Sequence, residues 1–546
     1  MEGHTAGPRR TVPRARRPWL AGPMSHPEVT GASWQGEIDE LEERRARARE
    51  LGGPERIQRQ HDRRKLTARE RVDYLLDEGS FDEIGLLADH GSHRADMAGV
   101  TAPADGVVCG AGEIDGRPVY LFSEDFTVLG GSVGQVGFRK RMRLRELAQR
   151  DRVPLLFLLD GAGARGQEYT MGEWPSGEHF ALQAQMSGVV PQVAAILGGL
   201  GGDPALEVPL TDFKVMTKHE GMVAAGGPPL VESATGIKVT KQELGGYKVH
   251  TERSGVVDNA VDSDEEALDQ VRTFLSYLPS NCWELPPRRD SFEDPFRRDE
   301  ALADVIPRER TRPYDVMRVI EGLIDRDSFF TIQPRYGRAL VVGLARIDGE
   351  VVGIQANQPK WRAGAFGAQE ADKATHFVAL CNSYNIPMIF LSDVPGFMVG
   401  PKSEEEATLR RGLRLAWTMS YMRVPTISVL LRKAYGMGSV AMHSANAGQV
   451  ATLAWPSAEF GALPLDGGVK AAYKRTLDEE QTAEQIEEVK ERFAAFGNPL
   501  DAAKAFNFDD LIDPRDTRKR IVRALRRARA AQAQQLGPWR HHGIFP

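Results

Sequence analysis

The chain repeats itself. Ile114-Asp115-Gly116 returns as Ile347-Asp348-Gly349, an offset of 233 residues. The run Val153-Pro154-Leu155-Leu156-Phe157-Leu158-Leu159-Asp160 returns at the same offset as Ile386-Pro387-Met388-Ile389-Phe390-Leu391-Ser392-Asp393, and Val190-Pro191 returns as Val424-Pro425, offset 234. The glycine turn Gly198-Gly199-Leu200-Gly201-Gly202 falls opposite the turn around Gly436, and an Asp-x-x-Ser-Phe precedes each copy (Asp77, Ser80-Phe81; Asp325, Ser328-Phe329). One short apolar run could match by chance; landmarks kept in register over about 80 residues mean two copies of one fold. Within each copy, glycine-punctuated apolar strands alternate with helical stretches, which argues for an α/β architecture of βαβ units.

This sets the organisation. At 546 residues the chain is too long for one core. Residues 36–282 form the first copy and 313–546 the second. Residues 283–312, rich in Pro and charge, read as the linker. Residues 1–35 read as a disordered basic arm without a secretory signal, and Met24 is a candidate start. Residues 36–78 predict exposed helices broken at Gly52-Gly53, and LDEEQTAEQIEEVKERFAAF and DTRKRIVRALRRARAAQAQQ predict helices near the C-terminus. The basic stripe of the latter reads as a solvated helix or a subunit contact.

Net charge −6 gives no reason to expect nucleic acid. No run approaches the ~18 uninterrupted apolar residues that span a bilayer. The three cysteines, Cys109, Cys282 and Cys381, make neither a disulfide framework nor a zinc motif, which fits a reducing cytoplasm.

The chemistry concentrates at the repeated turn. Val424–Met442 reads as a buried strand, a glycine turn and a helix start. Backbone N–H groups at such a turn suit an oxyanion, although the same order also makes an ordinary βα connection. No GxxxxGK[ST] occurs, so no nucleotide hydrolysis is read. His179, His219, His250, His376 and His443 are scattered without a nucleophile motif and read as structural.

The motifs KLTARERVDYLLDEGSF (65–81), FSEDFTVLGGSVG (122–134), LLDGAGARGQE (158–168), PLTDFKVM (209–216), QELGGYKVHTERSGVVD (242–258), VVGIQANQP (351–359), IPMIFLSDVPGFMVG (386–400), RKAYG (432–436) and AWPSAEF (454–460) stand in order. With them, and a terminal PWRHHGIFP, the chain resembles the carboxyltransferase (β) subunit of biotin-dependent acyl-CoA carboxylases, of the propionyl-CoA carboxylase type, from about residue 36 to the end. The resemblance implies two tandem crotonase-like domains, an acyl-CoA side and a biotin side. It implies a homohexamer whose active sites form between the first half of one subunit and the second half of another. It further implies carboxyl transfer from carboxybiotin to the α-carbon of a short-chain acyl-CoA, with one backbone oxyanion hole for the thioester enolate and one for the biotin ureido oxygen.

Carried over by motif, the first hole falls on Gly202 and Asp203, and the second on Met437 and Gly438. The family carries Gly-Gly and Gly-Ala there, so both pairs depart. A carboxylate at Asp203 opposes an enolate unless it turns away, the donors slip to Gly201 and Gly202, or this hole is altered; Pro204 stiffens the turn. Ala162-Gly163-Ala164-Arg165 and Gly436 let a CoA thioester approach the backbone. Arg165 either meets a phosphate or makes a structural salt bridge. Val440 either helps set acyl preference or is core. No side-chain base and no metal is implied.

The chain contains no Met-Lys-Met biotinylation sequence and no biotin carboxylase module, so biotin must arrive on a separate biotin carboxylase/biotin carrier subunit. Two further readings stay open: a malonyl- or methylmalonyl-type decarboxylase or transcarboxylase of the same family, and a non-catalytic β-like subunit.

Overall fold

A computed structural model describes residues 33–169, 177–443, 448–462, 498–538 and 544. The basic arm up to residue 32 and the predicted helix at 477–496 lie outside the described residues. The chain divides into two units, residues 1–46 and 47–546. The first carries most of the helix Gln35–Arg49, which has no buried residue and is laced by i,i+3 and i,i+4 ion pairs (Arg45–Glu42, Arg44–Glu40).

The second unit holds two large sheets of matching topology. In the first, β1 (Asp82–Glu83), β2 (Val107–Ile114) and β3 (Arg117–Glu124) are antiparallel neighbours. Beyond β3 the sheet continues in parallel through β4 (Leu155–Leu159), β5 (Gln192–Ile196), β7 (Phe213–Thr217) and β9 (Asn259–Val261). β6 (Gly199–Gly201) and β8 (Met222–Ala224) pair separately. The second sheet repeats the plan. β10 (Phe330–Ile332), β11 (Leu340–Ile347) and β12 (Glu350–Asn357) are antiparallel. β13 (Met388–Val394), β14 (Thr426–Tyr435), β15 (Gln449–Ala454) and β17 (Asp510–Leu511) follow in parallel, with β16 (Glu459–Gly461) against the end of β14.

The repeated short motifs acquire a physical meaning here. Asp115-Gly116 and Asp348-Gly349 are the corners of the β2–β3 and β11–β12 hairpins, with φ of 51°, 70°, 55° and 73°, the left-handed pair a two-residue hairpin requires. The Asp77 carboxylate accepts both corner N–H groups at 3.1 and 2.8 Å, and Asp325 does the same for the second hairpin at the same two distances. Ser80 and Ser328 then accept from the strands at Glu113 and Arg346. The Asp-x-x-Ser-Phe motif is a hairpin clamp.

The halves share a core. Phe213 and Phe274 stack at 4.7 Å, and Phe330 of the second half meets Phe213 edge-on at 5.4 Å. Tyr384 donates to Asp212 across the seam at 2.6 Å. The segment 283–312 is held down: Arg297 donates to the carbonyls of Gly322 and Ile324, and Arg289 to Gly349. The basic helix Thr517–Gln532 buries Ile521, Val522, Ala524 and Leu525 and pairs Arg518 with Asp325 and Arg526 with Asp348, so its stripe serves this chain's own second half.

Candidate active site

β4 delivers Asp160 to the edge of the first loop. Its buried carboxylate is ion-paired to Lys65 at 2.6 Å and Arg71 at 2.9 Å, and its N–H donates to Glu124 Oε2. In the loop, Ala162 donates to the Gly130 carbonyl and Gly163 accepts from Val133. Gly163 has φ +92°, and a Cβ there would lie 2.4 Å from the Gly201 carbonyl oxygen. Only glycine lets the loop and β6 touch backbone to backbone. Ala162 and Ala164 are exposed on either side of it.

Arg165 takes the salt-bridge role. It is buried, its Nη1 lies 2.5 Å from Asp105 and 2.6 Å from Glu168, and Nη2 donates to the Ser132 carbonyl. Burial and these partners take it away from a phosphate in solution.

At the first turn β6 is followed by Gly202, with φ +72°. The Gly202 N–H donates to the Ala224 carbonyl at 3.2 Å, extending the β6–β8 pairing. Asp203 opens the short helix Asp203–Glu207, where an N–H has no intrahelical acceptor; among the described residues nothing accepts it. Pro204 has no N–H to give. The turn therefore presents one open donor, on Asp203, beside the open face of Gly202, where a Cβ would meet nothing within 4 Å.

The Asp203 side chain lies against His179, whose Nε2 is 3.1 Å from Oδ1. His179 stands on the helix Glu178–Met186, 24 residues away in sequence. Its Nδ1 is buried without a partner among the described residues. The ring packs between Phe180 (3.9 Å) and the edge of Phe138 (5.4 Å). With Nδ1 unpartnered, the ring N–H that meets Asp203 is the one on Nε2, which donates to Oδ1. Burial works against the Asp203 charge, but the hydrogen bond and charge of His179 and the fields of Arg141 and Arg145 outweigh it and hold the carboxyl below its usual range. Asp203 is thus an anion beside the turn.

Behind His179 runs a buried ionic chain. Glu207 Oε1 is 3.8 Å from Nε2, and Glu207 Oε2 is ion-paired to Arg141 at 2.6 Å and Arg145 at 2.7 Å. Arg141 continues to Glu124 at 3.2 Å, which reaches back to Asp160. Burial pushes Glu124 up to about 7, against Arg141 and the Asp160 N–H. His179, Asp203 and Glu207 offer ligand atoms within 4.8 Å of one another. The two guanidiniums on Glu207 already supply positive charge there, which opposes a second cation.

The second turn is built differently. β14 runs unbroken from Thr426 to Tyr435, and Gly436 (φ +53°) turns it into the short helix Gly436–Val440. Met437 and Gly438 occupy its second and third positions, where N–H groups are open. A Cβ on Gly438 would lie 2.8 Å from Gly396 Cα and from Val394 Cγ2. Met437 and Val440 are 48% and 44% exposed, so Val440 lines a surface and is not core. Beneath the turn Arg432 and Lys433 meet Asp393, whose N–H donates to Asn357, and Tyr435 donates to Glu459.

Of the residues the sequence singles out, the structure brings together Ala162–Arg165 with Gly201, Gly202 and Asp203, and separately Gly436, Met437, Gly438 and Val440. His179, which by sequence alone reads as structural, gains its partner Asp203 only through the fold.

Compared with known proteins, residues 59–545 match the family described as Carboxyl transferase domain. A propionyl-CoA carboxylase, carboxyltransferase subunit of Haloferax mediterranei is 40% identical over 514 residues, 93% of this chain and 99% of that protein. A methylmalonyl-CoA decarboxylase subunit alpha of Veillonella parvula is 35% identical over 94% of this chain and 99% of its own. Among solved structures, a transcarboxylase 12S hexamer with methylmalonyl-coenzyme A and methylmalonic acid bound is similar with TM-score 0.87 and 37% identity, over 94% of this chain and all of that one.

Proposed function

The chain belongs to the carboxyl transferase domain family, and from that premise we propose that it moves a carboxyl group between carboxybiotin on a separate carrier subunit and the α-carbon of a short-chain acyl-CoA of the propionyl type. The single observation that carries this reading is the pair of glycine turns. Each places open backbone N–H after a positive-φ glycine (Asp203 after Gly202; Met437 and Gly438 after Gly436), at equivalent places in the repeat.

The difficulty in such a transfer is the negative charge that gathers on the thioester oxygen as the α-proton leaves. Oriented N–H groups in a water-poor site lower that barrier by about 3 kcal/mol per well-placed donor. Here the Asp203 N–H serves the enolate oxygen, and Met437 and Gly438 serve the ureido oxygen of biotin. The small, exposed Ala162 and Ala164 let the thioester lie close to the main chain, and exposed Val440 and Met437 of another copy offer it an apolar wall. Biotin supplies the carboxyl group; this chain binds, orients and stabilises charge.

Self-association fits the same reading. The helix Thr408–Ser420 exposes Leu409, Leu413 and Trp417 at helical spacing, at 68%, 49% and 58%, a stripe suited to another copy of the chain in a hexamer. Among the described residues no helix is long and apolar enough to cross a membrane. The three cysteines are free and buried, which supports a cytoplasmic setting.

The test is a tagged pull-down from the host probed with streptavidin, followed by assays with propionyl-CoA and methylmalonyl-CoA in both directions. The expected result is a co-purifying biotinylated subunit and ATP-dependent carboxylation. Decarboxylation without biotin would replace this reading with a decarboxylase, which the Asp203-Pro204 turn favours as the second candidate.

A further inference from the structure

We propose that His179 is a positioning residue of the first turn, whose imidazole holds the Asp203 carboxylate off the oxyanion that the Asp203 N–H receives. The inference rests on the oxyanion role given above to that turn, and it adds a residue which no motif marks.

The argument starts from a conflict within one residue. Asp203 carries the turn's open N–H and, three bonds away, an ionised carboxylate. A donor invites negative charge; a carboxylate repels it. Both can serve one site only if the side chain is held in a rotamer directed elsewhere, with its charge answered locally. His179 does both. Its Nε2 lies 3.1 Å from Oδ1, and its ring is clamped by Phe180 and Phe138 with 2% exposure, so it has little freedom to follow Asp203 outward. The charge is answered further back by Arg141 and Arg145 through Glu207. Asp203 itself remains 38% exposed, so without His179 the carboxylate can swing out over Gly202, where nothing fills the space within 4 Å. His179 acts through Asp203 and need not touch the substrate.

The test is a double-mutant cycle on the full chain, read by the affinity of the nitronate of nitroethyl-CoA, an anionic enolate analogue, alongside turnover. His179→Leu removes the donor and keeps the packing volume; His179→Gln keeps a donor and guards against a mere folding defect. The expected result is that His179→Leu weakens nitronate binding about 10-fold while His179→Gln stays within about 3-fold. With Asp203→Gly already in place, His179→Leu should cost less than about 2-fold, because there is no carboxylate left to hold. Equal losses in both backgrounds, or none in either, overturn the proposal. If the unmutated chain binds the nitronate yet transfers no carboxyl group in either direction, the functional reading falls while this one is still decided by the cycle. If it binds no nitronate at all, the turn is not an oxyanion site and both fall.

Discussion

The two turns occupy equivalent places in the repeat and are built in opposite ways. In the second half one strand, β14, runs through Thr426–Tyr435 to the turn; in the first half the corresponding stretch breaks into β5 and β6 at Leu197-Gly198. Beneath the second turn lie Asp393, Asn357, Arg432 and Lys433; beneath the first lies a longer buried chain, Asp160, Glu124, Arg141, Glu207, His179 and Asp203. The second turn opens two donors, Met437 and Gly438, while the first opens one, because Ala224 takes the Gly202 N–H and Pro204 has none. Duplication preserved the order of strand, glycine turn and short helix and let the groups behind it diverge. The turn with the unfavourable charge is also the one with the larger ionic support.

The sharpest way to break this comparison is to place a methyl group on each turn. At Gly438 the added Cβ would meet backbone at 2.8 Å, so Gly438→Ala must displace the turn itself. A misplacement of that order lowers kcat/KM by about 100-fold. At Gly202 there is room, and only the backbone conformation (φ +72°, ψ −141°) resists, at about 1–3 kcal/mol; Gly202→Ala should cost about 10-fold. Steady-state kinetics on the two variants, with melting temperatures as the control for folding, decide it. Equal losses would mean that contact and backbone strain do not distinguish the turns.

Much of the architecture was legible before any coordinates. The repeat gave the two α/β sheets because hairpin corners, buried strands and turns each need particular residues at fixed spacing, and Asp77 and Asp325 kept even their distances. The two glycine turns were legible for the same reason. The roles of side chains that act across the fold were not. His179 meets Asp203 only because a helix packs beside the turn, and nothing in local pattern couples positions 179 and 203. Arg165 had two equally plausible roles until burial chose one. The engagement of the Gly202 N–H depends on β8, a three-residue strand that the sequence does not announce. The linker, read as a spacer, is pinned by Arg297, and the shared core of Phe213, Phe274 and Phe330 crosses a boundary that composition alone presented as a division.

A second, milder prediction makes the first turn resemble the second. Pro204→Ala restores the N–H that proline lacks, giving the turn two adjacent donors. If donor number is what separates the turns, affinity for the nitronate analogue should rise about 3- to 10-fold. A fall would mean that the fixed φ of Pro204 orients the Asp203 N–H, which calorimetry on the same analogue would show directly.

The smallest effect concerns pH and tests the support rather than the turn. Burial raises Glu124 from 4.5 to about 7 in the folded chain, whereas its counterpart, Asn357, does not titrate. Between those values the folded state holds more protons than the unfolded state, so this carboxyl's contribution to stability is present at low pH and is lost as pH rises towards 7. Asp212, raised by burial from 3.8 to about 7 at the seam between the halves, pulls the same way. Glu124→Gln should therefore flatten the decline in unfolding free energy between about pH 4.5 and 7 by less than about 1.4 kcal/mol per pH unit, the limit for one proton. Adding Asp212→Asn should flatten it further, again by less than that one-proton limit. Urea titrations at three pH values measure this. An unchanged slope in Glu124→Gln would mean that Arg141 keeps Glu124 ionised throughout, and that the first turn rests on a fully charged chain with no titrating link between Asp160 and His179.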